Sequence, residues 1–218
     1  MFDQLDTTLL WQATGETLYM VAISTFFAAL IGIPLGVLLV ITDKGHLWEN
    51  VVIQRVLGLI INVFRAVPFI VLVLFLFPLS QLLVGTTLGP TAATIPLIAG
   101  AAPFYARMVE TAIREIDRGV IEAAKAMGAT RMQIIRKVLL PEAKPAIVSG
   151  LTVTCVALVG YSAFAGIVGG GGLGDAAYRF GFQSFNSSMM YACGLILVIM
   201  VQIIQAIGDF IARKLDKR

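Results

Sequence analysis

A chain of 218 residues that is 58% hydrophobic and only 13% charged lies far from a soluble composition, in which about a quarter of residues carry charge. With a mean hydropathy of +0.90 it reads as an integral membrane protein rather than a soluble domain. Its net charge of +3 is gathered on one side of the predicted membrane, which answers to orientation and not to nucleic-acid binding.

Charge-free runs decide the crossings, because about 20 apolar residues span a bilayer as a helix. Five spans are predicted, at 17–41, 57–79, 92–108, 145–168 and 188–212, with a polar loop at about 109–144, all within one all-α polytopic transmembrane domain over 1–218. With the N-terminus outside, fifteen of the sixteen Lys and Arg residues fall on the inner side and only Arg179 outside. That orients the chain with its C-terminus in the cytoplasm.

The first residues carry Asp3, Asp6 and Glu16 without a balancing base, as suits an external end. No basic stretch precedes the first span, so it reads as an uncleaved helix. Gly32, Pro34 and Gly36 are expected to let a neighbouring backbone approach. His46, the sole histidine, reads as a solvated side chain in an inner loop. In the second span Asn62 and Arg65 stand about one turn apart before Pro68; either Arg65 extends to the interface or the pair makes a polar contact that moves. Residues 80–90, uncharged and rich in Gly, Thr and Pro, form a compact external turn. Pro96, Gly100 and Pro103 leave backbone groups in the third span for neighbours or water to satisfy. Beyond Arg107 the chain leaves the membrane, with Glu110 and Arg114 at a favourable i, i+4 spacing.

The stretch from Gly119 to Pro141 organises the rest. Val120, Ala123, Ala124 and Met127 recur at helical spacing on one side, with Glu122 and Lys125 on another. Gly128 is placed to close that helix in a left-handed conformation. Ala129 then leads to Thr130 and Gln133, spaced as a capping box around Arg131 that starts a second helix, predicted to end at Pro141. A solvated connector needs no small-residue face; a surface that another protein approaches closely does.

The fourth and fifth spans hold Thr152, Thr154, Tyr161, Ser162, Gln202 and Gln205, polar side chains able to face a pathway. Phe164 and the sulfurs of Met189 and Met190 add polarizable contacts without a fixed charge. Helix packing explains these aromatics and methionines equally well. Gly169, Gly171 and Gly174 match G-x-G-x-x-G, but no strand precedes them, so a flexible external gate or docking loop is expected instead of a nucleotide site. Cys155 and Cys193 lie within spans and read as small buried hydrophobes. Arg213, Lys214, Lys217 and Arg218 anchor the last helix at the inner face.

No phosphate-binding G-x-x-x-x-G-K-[ST] motif is present. Gly160-Tyr161-Ser162-Ala163-Phe164 fails as a nucleophile elbow at its last position, and no His or Cys pair has metal spacing. Neither catalytic nor metal residues are expected. No acidic residue sits in mid-span, where a proton-driven carrier loads its ion, so energy is expected from another subunit. Five helices are few to enclose a path, which favours a two-fold pair of chains.

Glu122-Ala123-Ala124, Gly128 and Leu140-Pro141, in that order, resemble the EAA loop in permease subunits of bacterial ATP-binding-cassette importers. The stretches Asn62 to Ile70, Gly100 to Glu110, Leu158 to Ala163 and Gly172 to Gly174 resemble, more narrowly, the permease of the methionine importer in the type I group. The resemblance implies a type I importer permease fold in the bacterial inner membrane, present as a homodimer. It implies two ATPase subunits that carry ATP and Mg, leaving this chain without a cofactor, and an external solute-binding protein or lipoprotein bringing methionine, often either enantiomer. It puts ATPase coupling on Val120, Glu122, Ala123, Ala124, Met127, Gly128, Ala129 and Arg131. The pathway candidates remain Tyr161, Ser162, Phe164, Met189 and Met190. Two other readings stay open: a permease for another small amino acid or solute, and a membrane scaffold that recruits a soluble partner through the same loop.

Overall fold

A computed structural model describes residues 6–216, in which every regular element is helical; Asp3, Lys217 and Arg218 lie outside the described residues. Helix α1 spans Thr7–Ile41, starting well before the expected residue 17 because the Asp6 carboxylate accepts the Leu9 N–H at 3.0 Å and supplies the N-cap. It packs along α4, Pro90–Arg114. The expected close approach is realised there: a Cβ on Gly36 would lie 2.6 Å from both Ala106 O and Val109 Cβ, and one on Gly32 would lie 2.8 Å from Tyr105 Cδ1. Only glycine at these two positions lets the helices meet at this distance.

The second expected span, 57–79, is not one straight helix. It is an elbow of α2, Val51–Ala66, and α3, Phe69–Val84, bent by 108°. Pro68 has no N–H, and its ring drives Val67 out of helical geometry to ψ 125. Sixteen residues of α3 make about 24 Å of helix, short of a core about 30 Å thick. The pair completes a crossing only as a unit, and four other stretches among the described residues are long and apolar enough to cross alone.

After α4 come α5, Arg118–Ala126, and α6, Arg131–Ile134. Here a second expectation is corrected: the helix does not end at Pro141. A wider π-turn over Ile135–Leu139, in which the Leu140 N–H reaches Ile135 O, joins α6 to α7, Leu140–Ala165. The shift in hydrogen-bond register falls where proline can neither donate nor tolerate the tight turn before it, so the helix runs through.

A kinked stretch, Gly166–Gly170, in which Val168 and Gly169 leave helical geometry (Gly169 at φ +94), precedes α8, Gly172–Ala176; a π-helical stretch, Ala177–Gln183, precedes α9, Ser187–Leu215. The glycine run, expected as a flexible external gate or docking loop, is packed against α1 at its end. Gly172 to Ala176 are all buried, and α1 caps the turn: Glu16 Oε2 accepts the Gly172 N–H at 2.7 Å and Thr17 Oγ1 accepts that of Leu173 at 2.9 Å.

Three apolar clusters hold the helices together, the smallest joining Leu39, Ile61 and Ala106. Of the two larger, one, with Val109, Ile113, Leu139 and Ile147, reaches to Ile121 and Ala124 of α5; the other, with Met20, Leu97, Leu158, Leu173 and Cys193, fills the rest of the bundle. Leu195, Ile199, Ile203 and Ile207 stand exposed along α9, as on a helix whose outer side meets lipid or another chain.

Candidate coupling surface and pathway

Asp117 starts α5 by accepting the Gly119 N–H at 2.6 Å. Gly128 closes it at φ +78, with Ala129 N–H returning to Ala124 O at 3.1 Å. Both halves of the capping box form: Thr130 N–H to Gln133 Oε1 at 2.8 Å and Gln133 N–H to Thr130 Oγ1 at 3.3 Å. The bend after α5 is thereby set by local caps, and α5 is a short rod held to the core through Ile121 and Ala124.

The rod has two sides, divided differently from the expectation. Ile121 and Ala124 are buried against the chain's own core, whereas Val120, Ala123 and Met127, at i, i+3 and i+7, make the outward stripe. Ala124 faces inward because it shares a side with Ile121, the bulkiest apolar residue of the helix, which takes the core position. Met127 is 82% exposed, a large apolar surface for a residue outside the membrane spans. Glu122 and Arg131 are exposed beside it, and Ala129 is half-buried.

His46 is not simply solvated. It stands half-buried in the loop after α1, across a cavity of about 110 Å³ lined with Lys44, Arg118, Ile121, Glu122 and Lys125. Burial lowers its pKa below the ordinary 6.5; Asp43 opposes the shift, and the charges of Arg114, Arg118 and Lys125 add to it. For Asp43, burial alone would raise the pKa, but the Arg114 guanidinium and the Lys44 N–H hold the carboxyl below its ordinary 3.8.

The pathway candidates separate. Phe164 is 53% exposed, and Tyr161 is half-buried and stacked on Phe69 with ring centroids 4.6 Å apart. Ser162 and Met189 are seated inside the chain; the Ser162 hydroxyl donates to Val159 O of its own helix at 2.8 Å, so neither side chain faces an open surface here. Met190 lies half-buried against Gly181. Of the other polar groups, Thr152 and Thr154 bond their own helix, and Gln205 donates to Asp209 at 2.8 Å.

Asp43, Arg107 and Asn62 form, with Glu110 and Arg114, a polar chain whose cross-helix contacts no local spacing foretells. The pairs of Glu110 with Arg114 and with Arg107 are visible in the sequence, as i, i+4 and i, i+3 spacings; the contacts of Arg114 with Asp43 and of Arg107 with Asn62 are not.

Residues 32–218 match the family described as binding-protein-dependent transport system inner membrane component. The chain belongs to that family. It is a membrane transport permease with the type I importer fold. It is 51% identical over 214 residues to a protein of Vibrio cholerae serotype O1 named as a probable D-methionine transport system permease, covering 98% of this chain and 95% of that one. It is 52% identical over 217 residues to the methionine import system permease of Bacillus subtilis, covering 100% and 98%. A chain of the MetNI methionine ABC transporter, solved in inward-facing conformations, superposes with a TM-score of 0.95 at 48% identity, covering 97% of this chain and 98% of that one. An amino acid ABC transporter at 22% identity and a TM-score of 0.75 shares the fold alone.

Proposed function

We propose that the chain is the permease subunit of an ATP-driven methionine importer, paired with a second copy of itself and driven through α5 by a separate ATPase. In this reading two ATPase subunits hold ATP and Mg, each seating the Val120, Ala123 and Met127 stripe, while Glu122, Gly128, Ala129 and Arg131 shape the joint. Ala124 contributes from beneath, by fixing α5 to the core. An external solute-binding protein or lipoprotein delivers methionine to the opposite face, with the N-terminus external and the C-terminus cytoplasmic. The path runs between the two copies past Phe164 and Tyr161; Ser162, Met189 and Met190 act from behind that surface.

The identity to methionine permeases over nearly the whole chain supports the substrate, and the outward apolar stripe of a rigidly capped rod supports the coupling. ATP then works by tilting the paired bundles as rigid bodies about their interface. The test is reconstitution of the chain with its ATPase and solute-binding protein in proteoliposomes. ATP-dependent uptake of labelled methionine, abolished together with ATPase co-purification by Ala123→Arg, supports the reading. Uptake of another solute only, or an Ala123→Arg protein that still binds ATPase and transports, overturns it.

A further inference from the structure

Beneath α5 lies a group of four charges that sums to zero. Glu110, 6% exposed, takes Arg107 Nη1 on Oε2 and accepts from Arg114 Nε on Oε1 at 3.0 Å. Arg114 Nη2 continues to Asp43 Oδ2 at 2.7 Å, in the loop that follows α1. On the other side Arg107 Nη2 donates to Asn62 Oδ1 at 2.9 Å and to Gly58 O at 3.3 Å, both on α2. The ends of this chain are attached to the parts that have to move. Leu47 of the Asp43 loop is buried in the same cluster as Ile121 and Ala124 of α5. Beyond Asn62, α2 runs into the elbow at Pro68, after which Phe69 stacks on Tyr161.

Stability alone accounts poorly for such a group. Only Glu110 is buried, while Arg107, Arg114 and Asp43 keep part of their side chains in solvent, where ion pairs add little stability; the better-attested use of charges closed around a buried carboxylate is to hold one arrangement against others. Arg107 Nε is in addition buried without a partner, although buried donors are almost always paired. A guanidinium seated incompletely in one arrangement has a donor free for another.

We propose that Glu110 is the positioning residue of a relay, Asp43 to Arg114 to Glu110 to Arg107 to Asn62, that carries displacement of α5 sideways to the α2–α3 elbow. The relay rests on the reading of α5 as the seat of the ATPase. The covalent route from α5 leads only into α4 and α6; the elbow packs on α4 through Ile61 beside Ala106 and through Phe69 and Leu72 beside Gly100, and the polar side chains add a directional tie from α4 to α2.

The experiment uses the complete complex in proteoliposomes and records ATP hydrolysis and methionine uptake in the same vesicles, with spin labels at the exposed positions Lys125, off the ATPase-facing stripe of α5, and Leu59. Glu110→Gln, Asn62→Ala and Asp43→Asn are compared with Asp43→Glu. The expected result is unchanged ATPase association and hydrolysis with uptake per ATP reduced at least about fivefold. The label distance no longer changes with nucleotide as in the wild type, and Asp43→Glu restores both readouts. Because Glu110 is buried, the two partly exposed sites decide the matter should Glu110→Gln fail to insert. A wild-type ratio of uptake to hydrolysis in both Asn62→Ala and Asp43→Asn overturns the relay, even if thermal stability falls. Failure of the docking reading shows separately, as ATPase that stays bound to Ala123→Arg.

Discussion

Glu16 Oε2 accepts the backbone N–H of Gly172 at 2.7 Å, tying two residues 156 positions apart. With Thr17 on Leu173, the first helix supplies side-chain caps for the start of α8, a helix that has none of its own. Gly171 and Gly172 hold φ +78 and +77, so the turn leading into α8 is open to glycine and strained for other residues. Glu16→Ala is expected to remove the cap at a cost of about 1 kcal/mol. A lower melting temperature in detergent and faster proteolysis between α7 and α9 are the readouts, with Glu16→Gln retaining most of the bond.

Gly36 is where α1 and α4 meet with least room. A side chain there has to displace Ala106 O and Val109, both backbone or short-branched groups that cannot swing away. Gly36→Leu is expected to cost about 1 to 3 kcal/mol by overpacking, seen as loss of monodisperse protein on size exclusion. A methyl group added at Gly15, on the same helix, would meet nothing within 4 Å, so Gly15→Ala is the matched control and is expected to behave as wild type.

What the sequence disclosed follows from the range of the forces involved. Gly128 and the Thr130 and Gln133 box depend on atoms within four residues, and each takes the expected geometry. Gly32 and Gly36 announce a close approach, though not that α4 makes it. The two prolines show the limit: the same missing N–H bends the chain at Pro68 and is absorbed at Pro141. The difference lies in the π-turn at Ile135–Leu139, a register shift that composition does not report. On α5, a stripe counted from Val120 mixes two sides, because Ile121, which sets the core side, falls outside that periodic set. The cap by Glu16 and the reach of Arg107 to α2 join distant segments and have no local signal.

Gly128 stands in open space, with no atom within 4 Å of a Cβ, yet its φ of +78 disfavours any β-carbon. Gly128→Ala is therefore expected to act by strain alone, about 1 to 2 kcal/mol at the end of α5. Gly128→Asn, whose side chain tolerates the left-handed region, is expected to lose less. Membrane insertion should be intact in both, while uptake by the reconstituted complex falls in the order wild type, Asn, Ala. Equal uptake by all three would separate the bend from coupling.

His46 gives the α5 end a pH dependence whose sign is fixed by its surroundings. Its pKa is lowered from 6.5, first by burial and then by Arg114, Arg118 and Lys125, against the pull of Asp43. The unfolded chain therefore binds this proton more readily than the folded one, so the contribution is complete above about pH 6.5 and is lost as pH falls from there towards the folded value. Asp43 is shifted down from 3.8 and keeps its charge through this window, so it leaves the slope unchanged. Melting curves in detergent between pH 7.5 and pH 5 should show a fall that His46→Gln removes. The variant should converge with wild type at the alkaline end, where the imidazole is neutral in both states, and diverge from it as acid drives a fifth positive group into a site already facing Lys44, Arg114, Arg118 and Lys125.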